Sequence, residues 1–342
     1  MSKPAQTVLP RWRGFNLTEM CGTRSGVFVE DDFRWIAELG FDFVRLPLNY
    51  RMWTDEQDVY QVREPALDRL DSAVALALEN GLHVSINFHR APGYCVNGPE
   101  EPFNLWKDEE ALAVFLFHWE LIAKRFRHVS GKHLSLNPVN EPKKVTDKMS
   151  RADYERVMRA FVGRVRAIDP DRLIIIDGLR WGQTPLPELM DLGAAQSCRC
   201  YWPHSLSHYK VPGIAPENPL PASWPCTGYS PSGDAVGEPG TPATVWDRAR
   251  LEAHYAPWAE LARSGAGVHC GEGGCFKHTP HDVFLRWFTD VLEILTGYGI
   301  GYALWNFRGS FGVLDSERED VAYEDWHGHK LDRKLLELLQ RF

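Results

Sequence analysis

The chain has 342 residues, 44% of them hydrophobic and 25% charged, too apolar for a disordered chain and too charged for a membrane protein. No run approaches the roughly 18 apolar residues that span a bilayer. Its formal net charge of −8 gives no general attraction for phosphate backbones, so neither nucleic acid nor a membrane is the expected partner.

Along the chain, short β-rich apolar runs alternate with longer stretches whose apolar residues recur at three- and four-residue steps. The predicted strands are 13–17, 43–48, 83–88, 133–139, 173–177, 197–201, 267–271 and 301–305. The helical stretches that follow them are 31–39, 66–80, 108–128, 151–168, 187–192, 246–264, 282–296 and 330–340. Gly40, Gly81 and Gly299 stand just past helix ends, where a left-handed residue is needed. Strand–helix alternation implies parallel pairing with right-handed crossovers, and eight units imply a closed (β/α)8 TIM barrel, an α/β fold read as one domain over 1–342. A doubly wound open sheet would bring a Gly-rich phosphate turn, which is absent. Residues 203–242 break the rhythm with nine of the 23 prolines. Because Tyr209, Trp224 and Tyr229 punctuate the stretch, it reads as a long ordered loop after strand six, walling the pocket, rather than as a linker.

The N-terminus lacks the apolar segment of a secretory signal, and seven cysteines make an odd set. Both fit a reducing, cytoplasmic setting, unless a leader has been removed. Cys198 and Cys200 form a CxC, read as structural thiols because zinc sites show two separated pairs.

Barrel strands point polar residues at their C-terminal ends into a common pocket. Glu141 closes strand four and Glu272 closes strand seven. A carboxylate beside apolar strands is costly unless it is paired or used. A strand-end salt bridge would explain either glutamate alone. Together they are the minimal kit for cleaving a glycosidic bond, one protonating the departing oxygen and the other attacking the anomeric carbon. The 13 Trp residues add faces on which a sugar can stack.

Arg13-Gly14-Phe15-Asn16, Arg45-Leu46-Pro47, His89, Asn140-Glu141-Pro142, Glu272 and Trp305-Asn306-Phe307-Arg308-Gly309 occur in that order. This pattern resembles glycoside hydrolase family 5, the cellulase-like retaining β-glycosidases, over most of the chain. The resemblance implies Glu141 as acid/base and Glu272 as nucleophile. It implies Arg45 bonded to Glu272, Tyr201 beside it, and Asn140 on the sugar 2-hydroxyl. His89, Trp305, Asn306 and Arg308 would line the sugar subsite. Trp202 and Trp224, on the long loop, are further stacking candidates. The family often has a histidine two residues before the strand-six tyrosine; here that place holds Arg199, which cannot switch protonation. His208 is the candidate substitute for that imidazole, near the acid/base.

The implied substrate is a β-linked glucan- or mannan-type oligosaccharide or glycoside. The chemistry needs no cofactor or metal. Endo or exo action and oligomeric state stay open. A metal-dependent barrel hydrolase would want a His-x-His pair that His89 lacks. A non-catalytic carbohydrate-binding barrel would need no such pair of carboxylates.

Overall fold

The computed structural model describes residues 7–22, 26–55, 57–215, 217, 219–227 and 245–342. Eight strands carry the architecture: β1 (Arg13–Asn16), β2 (Phe43–Asn49), β3 (His83–Ala91), β4 (Leu134–Asn137), β5 (Leu173–Asp177), β6 (Ala195–Cys200), β7 (Val268–Gly273) and β8 (Gly301–Leu304). All eight predicted strands form, with small shifts at their ends. Each pairs in parallel with its neighbours. Phe15 of β1 opposes both Val44 of β2 and Leu304 of β8, so the sheet closes into the expected (β/α)8 barrel.

The crossover helices are α1 (Glu30–Glu38), α2 (Glu64–Glu79), α3 (Glu109–Phe126), α4 (Arg151–Arg166), α5 (Arg248–Arg263) and α6 (His281–Gly297), and α7 (Arg333–Arg341) follows β8. Between β5 and β6 a 3-10 turn, Pro187–Leu192, replaces a full helix. On α2 the stripe Leu67, Leu70, Val74 and Ala77 is buried. The start of α4 is fixed by a capping box, in which the Ser150 side chain accepts from the Asp153 N–H and Asp153 reaches back to the Ser150 N–H. Gly81 leaves α2 at φ 72°, a left-handed turn that favours glycine.

Two apolar clusters result. The large one fills the space between strands and helices. The small one, with Trp12, Phe43, Ile175, Ala195 and Ala303, packs together near the N-terminal ends of the strands. Toward the other end the barrel carries polar side chains: Asn16, Arg45, Asn87, Asn137, Asp177, Arg199 and Glu272, all buried. That change from apolar to polar along the strands positions the site.

Part of the predicted 203–242 loop is described. It begins with a short helix, His204–Ser207, and Cys226–Thr227 pairs antiparallel with Val245–Trp246. Residues 216, 218 and 228–244, with Tyr229, lie outside the described residues. Among the described residues no helix is long and apolar enough to cross a membrane.

Candidate active site

The polar layer is organised around Arg45, which β2 projects inward. Its Nη1 donates to Glu272 Oε1 at 2.6 Å and to Asn16 Oδ1 at 2.9 Å. Its Nη2 donates to Asn140 Oδ1 at 2.7 Å and to Asn137 Oδ1 at 3.1 Å. Glu272 Oε2 accepts from the Tyr201 hydroxyl at 3.2 Å. Both oxygens of Glu272 are therefore held, in a side chain that is 4% exposed.

Two register slips aim the other groups. Between β6 and β7, Cys270 opposes Cys198 but Glu272 opposes Arg199, so Gly271 is the extra residue of a bulge. A Cβ at Gly271 would lie 2.7 Å from Ser197 Oγ and 3.0 Å from Arg199 Nη1, too close for any side chain. Between β2 and β3, Leu48 opposes Phe88 and Asn49 opposes Arg90, leaving His89 unpaired. Its ring stacks on Trp305, centroids 5.2 Å apart and planes 22° apart.

Glu141 follows β4 with φ 49°, a left-handed conformation that a non-glycine residue adopts only when its surroundings impose it. Its N–H donates to Asp177 Oδ2 at 2.9 Å, and its carbonyl accepts from the Tyr94 hydroxyl at 2.7 Å. Its carboxyl accepts from Arg199 Nε at 3.2 Å. Arg199 Nη2 stands 3.5 Å from Glu272 Oε1, so one guanidinium touches both carboxyl groups. Burial and the like charge of Glu272 raise the Glu141 pKa to about 8, against opposing pulls from Arg199 and Arg45. That lies above the value near ~6 expected of a catalytic acid, because desolvation and a like charge act together. Burial lowers the His89 imidazole to about 3, leaving it neutral. Asn140 Nδ2 and His89 Nδ1 are buried donors or acceptors without a partner among the described residues.

The sequence model of the family described as Cellulase (glycosyl hydrolase family 5) matches residues 2–310. The chain belongs to glycosyl hydrolase family 5. Members hydrolyse O-glycosyl bonds, and this chain is a glycosidase of cellulase-like type. It is 24% identical to cellodextrinase A of Ruminococcus flavefaciens over 79% of this chain and 76% of that one. It is 23% identical to endoglucanase C of Acetivibrio thermocellus, covering 86% and 88%. A crystal structure of a glycoside hydrolase superposes with a TM-score of 0.89 at 36% identity, covering 97% of this chain and 99% of that one. A hyperthermophilic endo-β-1,4-glucanase in complex with substrate shares the fold at 21% identity, with a TM-score of 0.73 over 96% of each chain.

In this family 5 barrel, Glu141, Glu272, Arg45, Asn140, Tyr201 and Arg199 meet in one connected cluster. His89 and Trp305 stand beside each other, and half-buried Asn306 follows Trp305 with its Oδ1 lacking a partner among the described residues. Four expectations need correction. Trp202 is 2% exposed and packs into the core near Trp246 and His254, so it offers no face to a sugar. Trp224 bonds through Nε1 to Asp290 on α6 at 2.8 Å and borders a hollow with Arg248 and Arg286, on the helical side of the barrel. Arg308 is committed to Asp32, with Nε–oxygen distances of 2.9 and 2.8 Å, and lies over the Trp35 ring. His208 packs behind Tyr201, rings 5.1 Å apart, and stacks on His204 at 4.2 Å, so it does not replace an imidazole beside Glu141.

Sequence reasoning gave no role to Asp177, Asn16 or Asn137. Asp177 had a signal, because it closes the apolar run Leu173–Asp177 just as the two glutamates close theirs. Trp181 had none, and Tyr94 had only its place in the loop after His89, where sugar contact and loop packing are equal readings. The two residues reach the Glu141 loop only through tertiary contacts, Trp181 by donating its N–H to the Pro142 carbonyl at 3.0 Å. Both line a cavity of about 440 Å³ beside Lys143 and Phe103.

Proposed function

We propose that this chain is a retaining glycosidase that cleaves β-linked glucan- or mannan-type oligosaccharides or glycosides by double displacement. The observation that carries the reading is the unequal treatment of two carboxyl groups on one guanidinium. Glu272 is ion-paired with Arg45, while burial keeps a proton on Glu141.

In the first step Glu141 gives its proton to the glycosidic oxygen as a Glu272 oxygen bonds to the anomeric carbon, and the leaving alcohol departs. The ester cancels the Glu272 charge, removing the nearest like charge from Glu141, which then ionises more readily. In the second step Glu141 takes a proton from water, whose oxygen bonds to the anomeric carbon as the Glu272 ester bond breaks. Two inversions retain the configuration. Asn140 holds its Oδ1 on Arg45 and Arg199, which leaves Nδ2 for a sugar hydroxyl. Trp305, set against neutral His89, supplies a flat face for the cleaved sugar. The names of the cellodextrinase and endoglucanase relatives support a β-glucan as the first substrate to test.

The test is hydrolysis of an aryl β-glycoside by wild type, Glu141→Ala and Glu272→Ala. Both variants should lose most turnover; azide should rescue Glu141→Ala with a β-configured azide as product, whereas any azide rescue of Glu272→Ala should give the α-configured azide. Wild-type rates in either variant would end the reading. Hydrolysis abolished by a chelator would favour a metal enzyme, and no hydrolysis of any glycoside a binding barrel. Products from defined oligosaccharides distinguish exo from endo action.

A further inference from the structure

The place where a family histidine is expected holds Arg199, and the fold is adapted to it. Its side chain is fully buried. Nη1 donates to Ser197 Oγ at 2.8 Å and to the Cys198 carbonyl at 3.0 Å, and Nη2 to Asn140 Oδ1 at 3.0 Å. Nη2 also forms a short ion pair with Asp177 Oδ2. Two glycines make room for this side chain: a Cβ at Gly182 would lie 2.7 Å from Arg199 Cγ, and one at Gly271 would lie 3.0 Å from Nη1.

Asp177 is the other half. Its Oδ2 accepts the Arg199 ion pair and the Glu141 N–H, and its Oδ1 accepts from Asn137 Nδ2 at 2.9 Å. One carboxylate thus holds Glu141 at both ends, the backbone directly and the carboxyl through Arg199. We propose that Asp177 and Arg199 form a single positioning unit, a fixed ion pair that seats the acid/base Glu141 in its left-handed conformation and balances the charge around it through both half-reactions. This deepens the two-glutamate reading and rests on it.

The balance can be followed group by group. Before reaction Arg45 and Arg199 carry two positive charges, Asp177 and Glu272 two negative ones, and Glu141 is protonated. In the glycosyl-enzyme Glu272 is a neutral ester, and the cluster is balanced again once Glu141 ionises. Without Asp177 the resting cluster would carry an excess positive charge and favour early loss of the Glu141 proton. Without Arg199 it would be net negative and would oppose ionisation in the second step. Among the described residues Tyr94 and Tyr201 also face Glu141 and His89 faces the same cluster; burial holds both hydroxyls well above their ordinary range and the imidazole neutral, so none of them upsets this balance.

The experiment is the pH profile of kcat/KM for wild type, Asp177→Asn, Arg199→Gln and the double variant, with an aryl β-glycoside. The basic limb reports Glu141. It should move down by about half a pH unit or more in Asp177→Asn, up by a similar amount in Arg199→Gln, and return toward wild type in the double variant. Arg199→Lys keeps the charge but not the forked contacts, so it should keep the limb and lose kcat. Thermal melts first establish that each variant folds. Should Arg199→Gln fail to fold, Asp177→Asn and Arg199→Lys carry the test alone. Limbs that stay put, or move in the same direction in both single variants, would overturn the pair. If Glu141→Ala and Glu272→Ala are meanwhile inactive, the two-glutamate reading survives that failure.

Discussion

Holding a proton on Glu141 at neutral pH has a stability consequence that Glu141→Gln isolates. The folded-state pKa, about 8, lies above the ordinary carboxyl value of 4.5. A carboxyl raised in this way contributes nothing unfavourable below the unfolded value. As pH rises from about 4.5 to about 8 the unfolded chain releases the proton while the folded one keeps it, so wild type loses stability across that window. At about 1.4 kcal/mol per unit the full shift corresponds to an upper bound of about 5 kcal/mol. Because the Glu141 side chain is 15% exposed and the charge of Glu272 supplies part of the shift, about half of that, roughly 2–3 kcal/mol, is expected. Glutamine keeps the shape and can still accept from Arg199, but never ionises. At roughly 2 cal/mol/K per residue over 342 residues, the unfolding entropy is about 0.7 kcal/mol/K. Glu141→Gln should therefore melt about 3–4 °C above wild type at pH 8.5, with no difference at pH 4.5, and should be inactive. Urea or thermal unfolding of both proteins at the two pH values measures this. An equal gap at both pH values, or a gap confined to acid, would refute the claim that the acid is kept neutral by its surroundings.

Arg45→Met should lower kcat by about 10²-fold or more, because it removes the closest ion partner of buried Glu272 and leaves only the longer Arg199 contact; steady-state kinetics on folded protein checks this. Trp202→Ala should destabilise the fold by about 3–5 kcal/mol in denaturant melts while KM stays near wild type, whereas Trp305→Ala should raise KM with little change in the melt. Arg308→Ala should shift the melting temperature and leave kcat/KM within about twofold, since its contacts are with Asp32 and Trp35 rather than the catalytic cluster.

Strand β2 illustrates what the sequence conveys well. Phe-Val-Arg-Leu-Pro-Leu-Asn is apolar enough to be a buried strand, and a lone arginine within it stands out as needing a partner. The same reasoning applies to Glu141 and Glu272. It fails for aromatic residues in irregular segments. Trp202 and Trp224 sit among prolines and glycines without periodicity, so nothing local says whether such a ring faces a ligand or the back of a helix. Trp202 is buried, its carbonyl accepting from Trp287 Nε1 at 3.0 Å, and Trp224 is held by Asp290, both partners more than 60 residues away. Arg308 was misplaced for the same reason, its partner Asp32 being 276 residues distant.

Periodicity and the apolar strand runs were enough to specify eight strands and the order of their crossovers, and the polar residues closing those strands marked the end of the barrel that carries chemistry. Hydrophobic burial is locally encoded, because each strand and helix face must be apolar wherever it packs. Which charged groups meet is decided by closure and by register. Closure pairs β8 with β1, which carries β7 round to the β2 side of the barrel and so brings Glu272 to Arg45 across 227 residues. One extra residue in β7, Gly271, sets Glu272 opposite Arg199 rather than Cys200. A slip of one residue reverses the face a side chain points to, and no amount of local propensity fixes it once the glycine allows either course.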